Sequence, residues 1–251
     1  MERLFNLTTW IATVLVLIVG LLYVGIIWIF TVPFDKGRYR AGRAFRHLAV
    51  ASVKLNPLWK FHTDGKAPPN PRKPYVAVSN HESYADIFLI SHFPWEMKWL
   101  SKETLFKIPV MGWHMRMAGD IPVKRGSRES TMQALAECRD RLRKHVSIMI
   151  FPEGTRSPTG DLLPFKDGAF KLAIETGSPI LPIAVAGTRN CMAKHSFRFR
   201  RARAIARVLE PITTDGLTPS DIPALKERTR QAIESARRDL QSELGLKSSA
   251  A

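Results

Sequence analysis

The sequence predicts an α/β fold, in which a mixed, largely parallel sheet is flanked by helices and preceded by an N-terminal hydrophobic helical membrane anchor. From residue 75 onward, short β-type runs alternate with segments of helical periodicity, a pattern typical of strand and helix units that share one sheet. Before them, no charged residue stands between Arg3 and Asp35. That apolar run is long enough to cross the hydrocarbon core of a bilayer.

The first predicted element is a membrane helix over residues 10–32, WIATVLVLIVGLLYVGIIWIFTV. It is too long for the apolar region of a signal peptide, and no small-residue cleavage site follows it. Arg3 alone precedes the helix, whereas basic residues crowd the segment after it, so the rest of the chain is expected on the cytoplasmic face of the membrane. A helix that dips into one leaflet stays an alternative. The basic residues are Lys36, Arg38, Arg40, Arg43 and Arg46.

The second predicted element is a basic amphipathic helix over residues 36–61. Its apolar face either lies on the bilayer, with the basic side chains among anionic headgroups, or packs on the protein. Residues 1–61 would then form the membrane anchor and residues 62–251 the second domain, beginning with a polar, proline-rich linker over residues 62–70. The face consists of Phe45, Leu48, Ala49, Ser52 and Val53.

The remaining elements follow from hydrophobic periodicity. Helices are expected over residues 87–93, 110–117, 127–144, 168–175 and 220–244. Strands are expected over residues 75–79, 97–100, 121–123, 146–151, 180–185 and near 204–209. The two cysteines, Cys138 and Cys191, are far apart, so neither a disulfide framework nor a zinc ribbon is indicated and both are taken as ordinary thiols.

The charge of the chain predicts anionic partners. Lys and Arg number 38 against 22 Asp and Glu, which gives a net charge of +16, while a 45% hydrophobic composition argues against a disordered polycation. Composition does not choose between nucleic acid, an anionic membrane, phosphorylated molecules and acidic proteins. Residues 194–207 are the most basic stretch and form either an exposed strand edge or a docking surface for lipid headgroups, coenzyme A phosphates or an acidic carrier protein.

The first candidate site is the segment Asn80–Asp86, NHESYAD, which follows a predicted strand. An aspartate five residues after a histidine, across a turn from strand to helix, can accept a hydrogen bond from one imidazole nitrogen and leave the other as a base. The alternative is a helix cap by Ser83 with solvated charges. No metal is expected, because the segment lacks HExxH spacing and no Cys/His cluster occurs elsewhere.

The second candidate site is the segment Phe151–Ser157, FPEGTRS, which follows another predicted strand. Gly154 permits a close backbone approach. Arg156 offers a planar fork of donors for phosphate oxygens, with the Thr155 hydroxyl as a further donor and Glu153 placed to orient the arginine. The alternative is a structural ion pair.

The two segments, separated by about seventy residues, together resemble the glycerolipid acyltransferase superfamily, most closely its bacterial 1-acyl-sn-glycerol-3-phosphate acyltransferases. The similarity covers residues 75–188 in the family's order. It continues in WLSKE (99–103) with IPVMGW (108–113), in GDIPVKR (119–125) and in LPIAV (181–185).

This resemblance implies an O-acyltransferase that moves an acyl chain from acyl-CoA or acyl-acyl carrier protein to the free sn-2 hydroxyl of 1-acyl-sn-glycerol 3-phosphate, giving phosphatidic acid. It makes His81 the general base and Asp86 its partner, and it implies neither a metal nor a prosthetic group. Acceptor binding is assigned to Glu153, Gly154, Thr155 and Arg156, with Arg125 and Lys102 near the phosphate and Pro182 shaping the acyl or acceptor pocket.

The residues agree with direct attack on an activated thioester. A serine hydrolase would need GxSxG, which is absent, and neither cysteine lies in a candidate segment. Neither a Walker A nor a GxGxxG motif occurs. Two alternatives stay open: the same chemistry on another lysolipid, such as lyso-ornithine lipid, and a non-catalytic basic module that binds anionic membrane or nucleic acid. A nucleic-acid partner is not expected in a membrane-anchored chain.

Overall fold

The computed structural model describes residues 2–66, 68, 70, 72–192 and 198–246. They fall into two compact units. The first comprises residues 1–56, 69–74 and 94–149, and the second comprises residues 57–68, 75–93 and 150–251. The anchor segment therefore shares a unit with residues 94–149, while the predicted domain boundary near residue 61 stays a prediction.

Eight helices and seven strands are found among the described residues, with two short 3₁₀ helices, Glu103–Lys107 and Pro219–Asp221. The helices are α1 (Glu2–Thr31), α2 (Tyr39–Lys54), α3 (Ala85–Ile90), α4 (Met111–Ala118), α5 (Arg128–Arg143), α6 (Gly168–Thr176), α7 (Thr188–Cys191) and α8 (Ile222–Glu243). The strands are β1 (Trp59–Gly65), β2 (Val76–Ser79), β3 (Met97–Lys102), β4 (Ile121–Val123), β5 (Ser147–Ile150), β6 (Ile180–Ala186) and β7 (Ala202–Val208).

The N-terminal helix of the first unit is long and apolar enough, over Phe5–Thr31, to cross a membrane. It packs against α2 and α4. Gly20 permits this approach, since an added Cβ would lie 2.2 Å from the side chain of Leu48. The apolar face of α2 is thus buried on protein, which is the second of the two arrangements expected for it. The shared cluster contains Val24, Ala44, Phe45, Leu48, Phe106, Met115 and Ala118.

Two expectations for the segment after α1 are wrong. The helix predicted over residues 36–61 ends at Lys54, and residues 59–65, expected as helix and linker, form β1. The pair Asn56–Pro57 explains the helix end, because a proline disfavours helical backbone in the residue before it. Arg46, which the first of the two arrangements would put among lipid headgroups, is only 5% exposed and binds acidic side chains inside the first unit.

The first unit contains three parallel strands. Strand β3 pairs with β4 on one side and with β5 on the other, and α5 packs on β3 and β4. These strands and α5 begin and end close to their predicted bounds.

The second unit contains four strands in the order β1-β7-β6-β2. Here β1 runs parallel to β7 and β2 runs parallel to β6, while β6 and β7 are antiparallel. Helix α8 packs on β6 and α6 packs on β2, and both of these strands are buried along their whole length. The predicted fold class, a mixed and largely parallel sheet flanked by helices, is confirmed.

Candidate active site

The loop after β2 carries the first candidate segment and is fastened to the neighbouring strand β6. The side-chain amide of Asn80 donates to the carbonyl oxygen of Val185 at 2.9 Å and accepts from the Val185 backbone N–H at 2.8 Å. Both groups are buried, where an unpaired amide would be costly. The position of the residue that follows, His81, is therefore set by the sheet.

His81 and Asp86 form a buried pair. His81 Nδ1 lies 2.7 Å from Asp86 Oδ2, and the same oxygen accepts from the backbone N–H groups of Glu82 at 2.8 Å and Ser83 at 2.9 Å. An oxygen surrounded by N–H donors is an acceptor, so His81 Nδ1 carries the hydrogen and donates it. The imidazole Nε2 consequently keeps its lone pair and is available as a base.

Phe151 holds the plane of the imidazole. Its ring stacks on the His81 ring with centroids 3.9 Å apart and an interplanar angle of 14°. The sequence places Phe151 in the second candidate segment but assigns it no role. In the structure it covers one face of the base and limits rotation of the ring.

Glu153 ties the two candidate segments together. Its Oε1 accepts from the His81 backbone N–H at 2.7 Å and its Oε2 from the Leu163 N–H at 3.1 Å, while the His81 carbonyl accepts from the Ser157 N–H at 2.9 Å. Both carboxylate oxygens of Glu153 therefore accept hydrogen bonds from backbone N–H groups. The sequence had instead suggested that Glu153 orients Arg156. Burial raises the pKa of Glu153 to about 7, despite the two N–H groups that favour its charged form.

Arg156 lies beside the histidine loop. Its guanidinium carbon is 3.9 Å from the ring centroid of Tyr84, a residue of the first segment, in a cation–π contact. The turn that presents Arg156 depends on Gly154, which adopts a φ of +71° that favours glycine. Thr155 is exposed. The structure therefore places Arg156 next to the loop that carries His81.

The two other predicted cations lie in the first unit. Lys102 ends β3 and stands in register with Val123 of β4, and Arg125 follows β4 directly. Both side chains are exposed at the carboxyl ends of neighbouring parallel strands. Pro182 is buried inside β6 in register with Val78, so it is part of the sheet of the second unit. The binding roles of all three residues stay predictions.

The sequence had indicated no role for three residues that the structure places near the site. The Lys166 ammonium nitrogen would lie 2.8 Å from a Cβ added at Gly154, which puts a further cation at the arginine turn. Glu82 and Thr188 are buried behind Asp86. Thr188 has no signal of its own in the sequence, whereas Lys166 follows Phe165 in FKDG, close enough to the second segment to be considered with it.

Part of the basic stretch after α7 is bound to acidic side chains of the same unit. Arg207, expected on a docking surface, makes two hydrogen bonds to Asp64 and an ion pair with Glu243 at 3.0 Å. Residues 194–197 lie outside the described part of the chain. The arginines whose side chains are exposed are Arg198, Arg200, Arg201 and Arg203.

Metal and thiol chemistry find no support in the part of the chain that the structure describes. No group of three or more His, Cys, Asp or Glu side chains is arranged there to hold a metal ion. Both cysteines are buried, and burial raises the pKa of the Cys138 thiol to about 12 and that of Cys191 as well, which leaves neither as a ready nucleophile.

A buried histidine bonded through Nδ1 to a carboxylate is suited to taking a proton from a bound hydroxyl group, and the arginine beside it can bind an anion. The chain belongs to the Acyltransferase family, which it matches over residues 60–186. The family resemblance drawn from the sequence is thereby confirmed.

The names of individual relatives are more specific than the name of the family. The chain is similar to the 1-acyl-sn-glycerol-3-phosphate acyltransferase BAT2 of Brassica napus, at 41% identity over 65% of this chain and 47% of that protein. It is also similar to the human 1-acyl-sn-glycerol-3-phosphate acyltransferase alpha, at 34% identity over 69% of this chain and 62% of that protein. The chain spans about half the length of the plant relatives.

A solved structure supports the same grouping. The crystal structure of the 1-acyl-sn-glycerophosphate acyltransferase PlsC from Thermotoga maritima matches with a TM-score of 0.75 and 25% identity, over 96% of this chain and 98% of that one. The similarity therefore extends over nearly the whole length of both chains.

Proposed function

We propose that this chain transfers an acyl group from a thioester, acyl-CoA or acyl-acyl carrier protein, to the free sn-2 hydroxyl of 1-acyl-sn-glycerol 3-phosphate, with His81 as the general base. The observation that carries the proposal is the 2.7 Å contact between His81 Nδ1 and Asp86 Oδ2. It leaves His81 Nε2 as the one ring nitrogen free to take a proton. The names of the relatives support the acceptor.

The chemical step needs no acyl-enzyme. His81 Nε2 takes the proton of the acceptor hydroxyl as its oxygen attacks the thioester carbonyl carbon. The carbon–sulfur bond then breaks, and the departing sulfur takes the proton from the imidazolium. Asp86 stabilises that imidazolium and holds the ring in the orientation that points Nε2 away from the buried loop.

The acceptor phosphate is assigned to cationic side chains. Arg156, which lies beside the histidine loop, is the proposed phosphate contact in the second unit. Lys102 and Arg125 are exposed at neighbouring strand ends of the first unit, and their binding roles stay predictions. A guanidinium matches two phosphate oxygens at once, which suits a glycerol phosphate better than a neutral acceptor. Exposed arginines at residues 198–203 supply further positive charge for an anionic donor or membrane surface.

Membrane attachment is assigned to the first unit. Helix α1 provides an apolar segment of sufficient length over Phe5–Thr31. The basic residues that follow it favour the cytoplasmic side, which in a bacterium places both units at the inner face of the inner membrane. A lysolipid and a water-soluble thioester meet at that surface.

The proposal is tested with the purified full-length chain in mixed micelles. One radiolabelled acyl-CoA is offered with equal amounts of 1-acyl-sn-glycerol 3-phosphate, lysophosphatidylcholine and lyso-ornithine lipid, and the products are separated by thin-layer chromatography. Labelled phosphatidic acid is expected to dominate. Preferential labelling of a phosphate-free acceptor would overturn the assignment of the acceptor. No transfer to any lysolipid, from acyl-CoA or from acyl-acyl carrier protein in a parallel reaction, would contradict the activity itself.

Arg156→Ala is expected to raise KM for lysophosphatidic acid about 10-fold to 100-fold while kcat changes less, because a charge-assisted phosphate contact is lost from the bound substrate. Steady-state kinetics with the acceptor varied at saturating donor measure this. Arg238→Ala on α8 is the control, since that arginine is 65% exposed and pairs only with Glu234 among the described residues. An unchanged KM in Arg156→Ala would remove Arg156 from acceptor binding.

A further inference from the structure

Thr188 lies directly behind the Asp86 carboxylate. Its hydroxyl donates a hydrogen bond to Asp86 Oδ1, the oxygen that His81 does not use. Both residues are fully buried. Asp86 thereby has donors on both oxygens: three N–H groups on Oδ2 and the Thr188 hydroxyl on Oδ1.

We infer that Thr188 is a positioning residue of the dyad: its hydroxyl fixes the rotation of the Asp86 carboxylate and, through it, the orientation of the His81 ring. The inference rests on the proposed function. Without Thr188 the carboxylate would keep its Oδ2 donors but could turn about them, because nothing else described in the structure binds Oδ1.

The backbone around Thr188 is built to place it there. Strand β6 ends at Ala186, and Gly187 turns the chain with a φ of +90° so that α7 starts at Thr188. A Cβ at Gly187 would lie 2.3 Å from the carbonyl oxygen of Arg203, so only glycine fits. The other end of α7 is also fastened to the histidine loop, since the Ser83 hydroxyl donates to the Met192 carbonyl at 3.2 Å.

Glu82 also lies beside the Thr188 hydroxyl. Its Oε2 is 3.5 Å from Thr188 Oγ1, at the outer limit of a hydrogen bond, whereas Asp86 Oδ1 is closer. Since a hydroxyl has one hydrogen, Thr188 donates it to Asp86. Burial, together with the nearby Asp86, raises the pKa of Glu82 to about 8, with Arg237 opposing the rise, which disfavours a second carboxylate charge beside Asp86.

The test compares Thr188→Val with Thr188→Ser, because valine keeps the shape and removes the hydroxyl. We expect Thr188→Val to lower kcat about 10-fold to 100-fold with little change in KM for either substrate, and Thr188→Ser to restore most of the rate. The acid limb of the kcat/KM profile should also move to lower pH in Thr188→Val, because the imidazolium loses part of its stabilisation by a well-oriented carboxylate.

Thr229→Val is the matched control. Thr229 is a fully buried threonine of the same unit whose hydroxyl bonds to the Leu225 carbonyl at 2.7 Å within α8, away from the dyad. Thermal unfolding of both valine variants measures any loss of stability. A structural role alone would give the two variants similar rates at similar stability, with no movement of the pH profile, and that outcome would overturn the inference.

A double-mutant cycle keeps the inference testable if Thr188→Val folds poorly, with Thr188→Ala as the replacement. Since Thr188 acts through Asp86, removing its hydroxyl in an Asp86→Asn background should change kcat by less than about twofold. If the two substitutions instead lowered kcat independently, so that their effects multiplied in the double variant, the inference would be contradicted. If His81→Ala retains turnover, the proposed function fails; if His81→Ala is inactive while Thr188→Val matches wild type in rate and pH profile, only this inference fails.

Discussion

Replacing His81 by alanine is expected to lower kcat for acyl transfer to lysophosphatidic acid by about 10²-fold to 10⁴-fold, the usual contribution of a positioned general base. The hydroxyl of the acceptor is a poor nucleophile until its proton is removed, and His81 Nε2 is the ring nitrogen left free by the bond to Asp86. The measurement is the initial rate with labelled acyl-CoA, at saturating concentrations of both substrates.

His62→Ala is the matched control for this variant. His62 is an exposed histidine on β1 of the same unit, so its loss removes an imidazole without touching the candidate site. Circular dichroism should show both variants folded. A His81→Ala protein with more than a tenth of the wild-type rate would contradict general-base catalysis by His81. No acyl transfer by the wild-type chain itself would favour the non-catalytic binding module that the sequence left as an alternative.

Most elements between residues 75 and 244 could be predicted closely because their periodicity is strong, but the short helix α7 and the 3₁₀ helix Glu103–Lys107 were not predicted. The helix predicted over residues 87–93 differs most, since it ends at Ile90. Strand β1 was harder to predict, because its alternation of apolar and polar residues is short. Trp59 and Phe61 alternate with Lys60 and His62, and the alternation then ends. Its partner, β7, begins at residue 202, so the pairing that stabilises β1 is not local.

The chemistry of the site could be predicted by residue type, but its supporting contacts could not. The spacing of His81 and Asp86 allowed their hydrogen bond to be expected from local backbone geometry. The bond from the His81 N–H to Glu153 joins a backbone group to a side chain 72 residues away, and backbone groups leave no mark in a sequence. The hydrogen bond from Thr188 to Asp86 joins two side chains that are 102 residues apart, and local spacing in a sequence does not reveal so distant a contact.

The largest effect on stability is expected in the first unit, where four charged side chains are buried together. Arg46 of α2 binds Asp120 and lies 3.6 Å from Glu96, and Glu96 pairs with Lys98 at 3.0 Å. None of the four is more than 5% exposed. Burial opposes the charge on Arg46, but Asp120 and Glu96 outweigh it and raise its pKa, so the guanidinium is charged.

Arg46→Met is therefore expected to lower the free energy of unfolding by about 3–5 kcal/mol, because it leaves the Asp120 carboxylate buried without its cation. Asp120 would retain only the Trp99 backbone N–H at 3.0 Å. Glu96 would keep Lys98. Urea unfolding in detergent micelles, followed by tryptophan fluorescence, measures the loss.

The same argument predicts a rescue. Adding Asp120→Asn to Arg46→Met removes the unpaired charge and keeps an amide oxygen for the Trp99 N–H, so the double variant should recover most of the lost stability. Arg238→Met, which breaks an exposed pair with Glu234, should cost no more than about 1 kcal/mol. If Arg46→Met were no worse than Arg238→Met, the buried charges would contribute nothing to holding α2 on the sheet. If the double variant were less stable than Arg46→Met alone, the unpaired carboxylate would not be the cause of the loss.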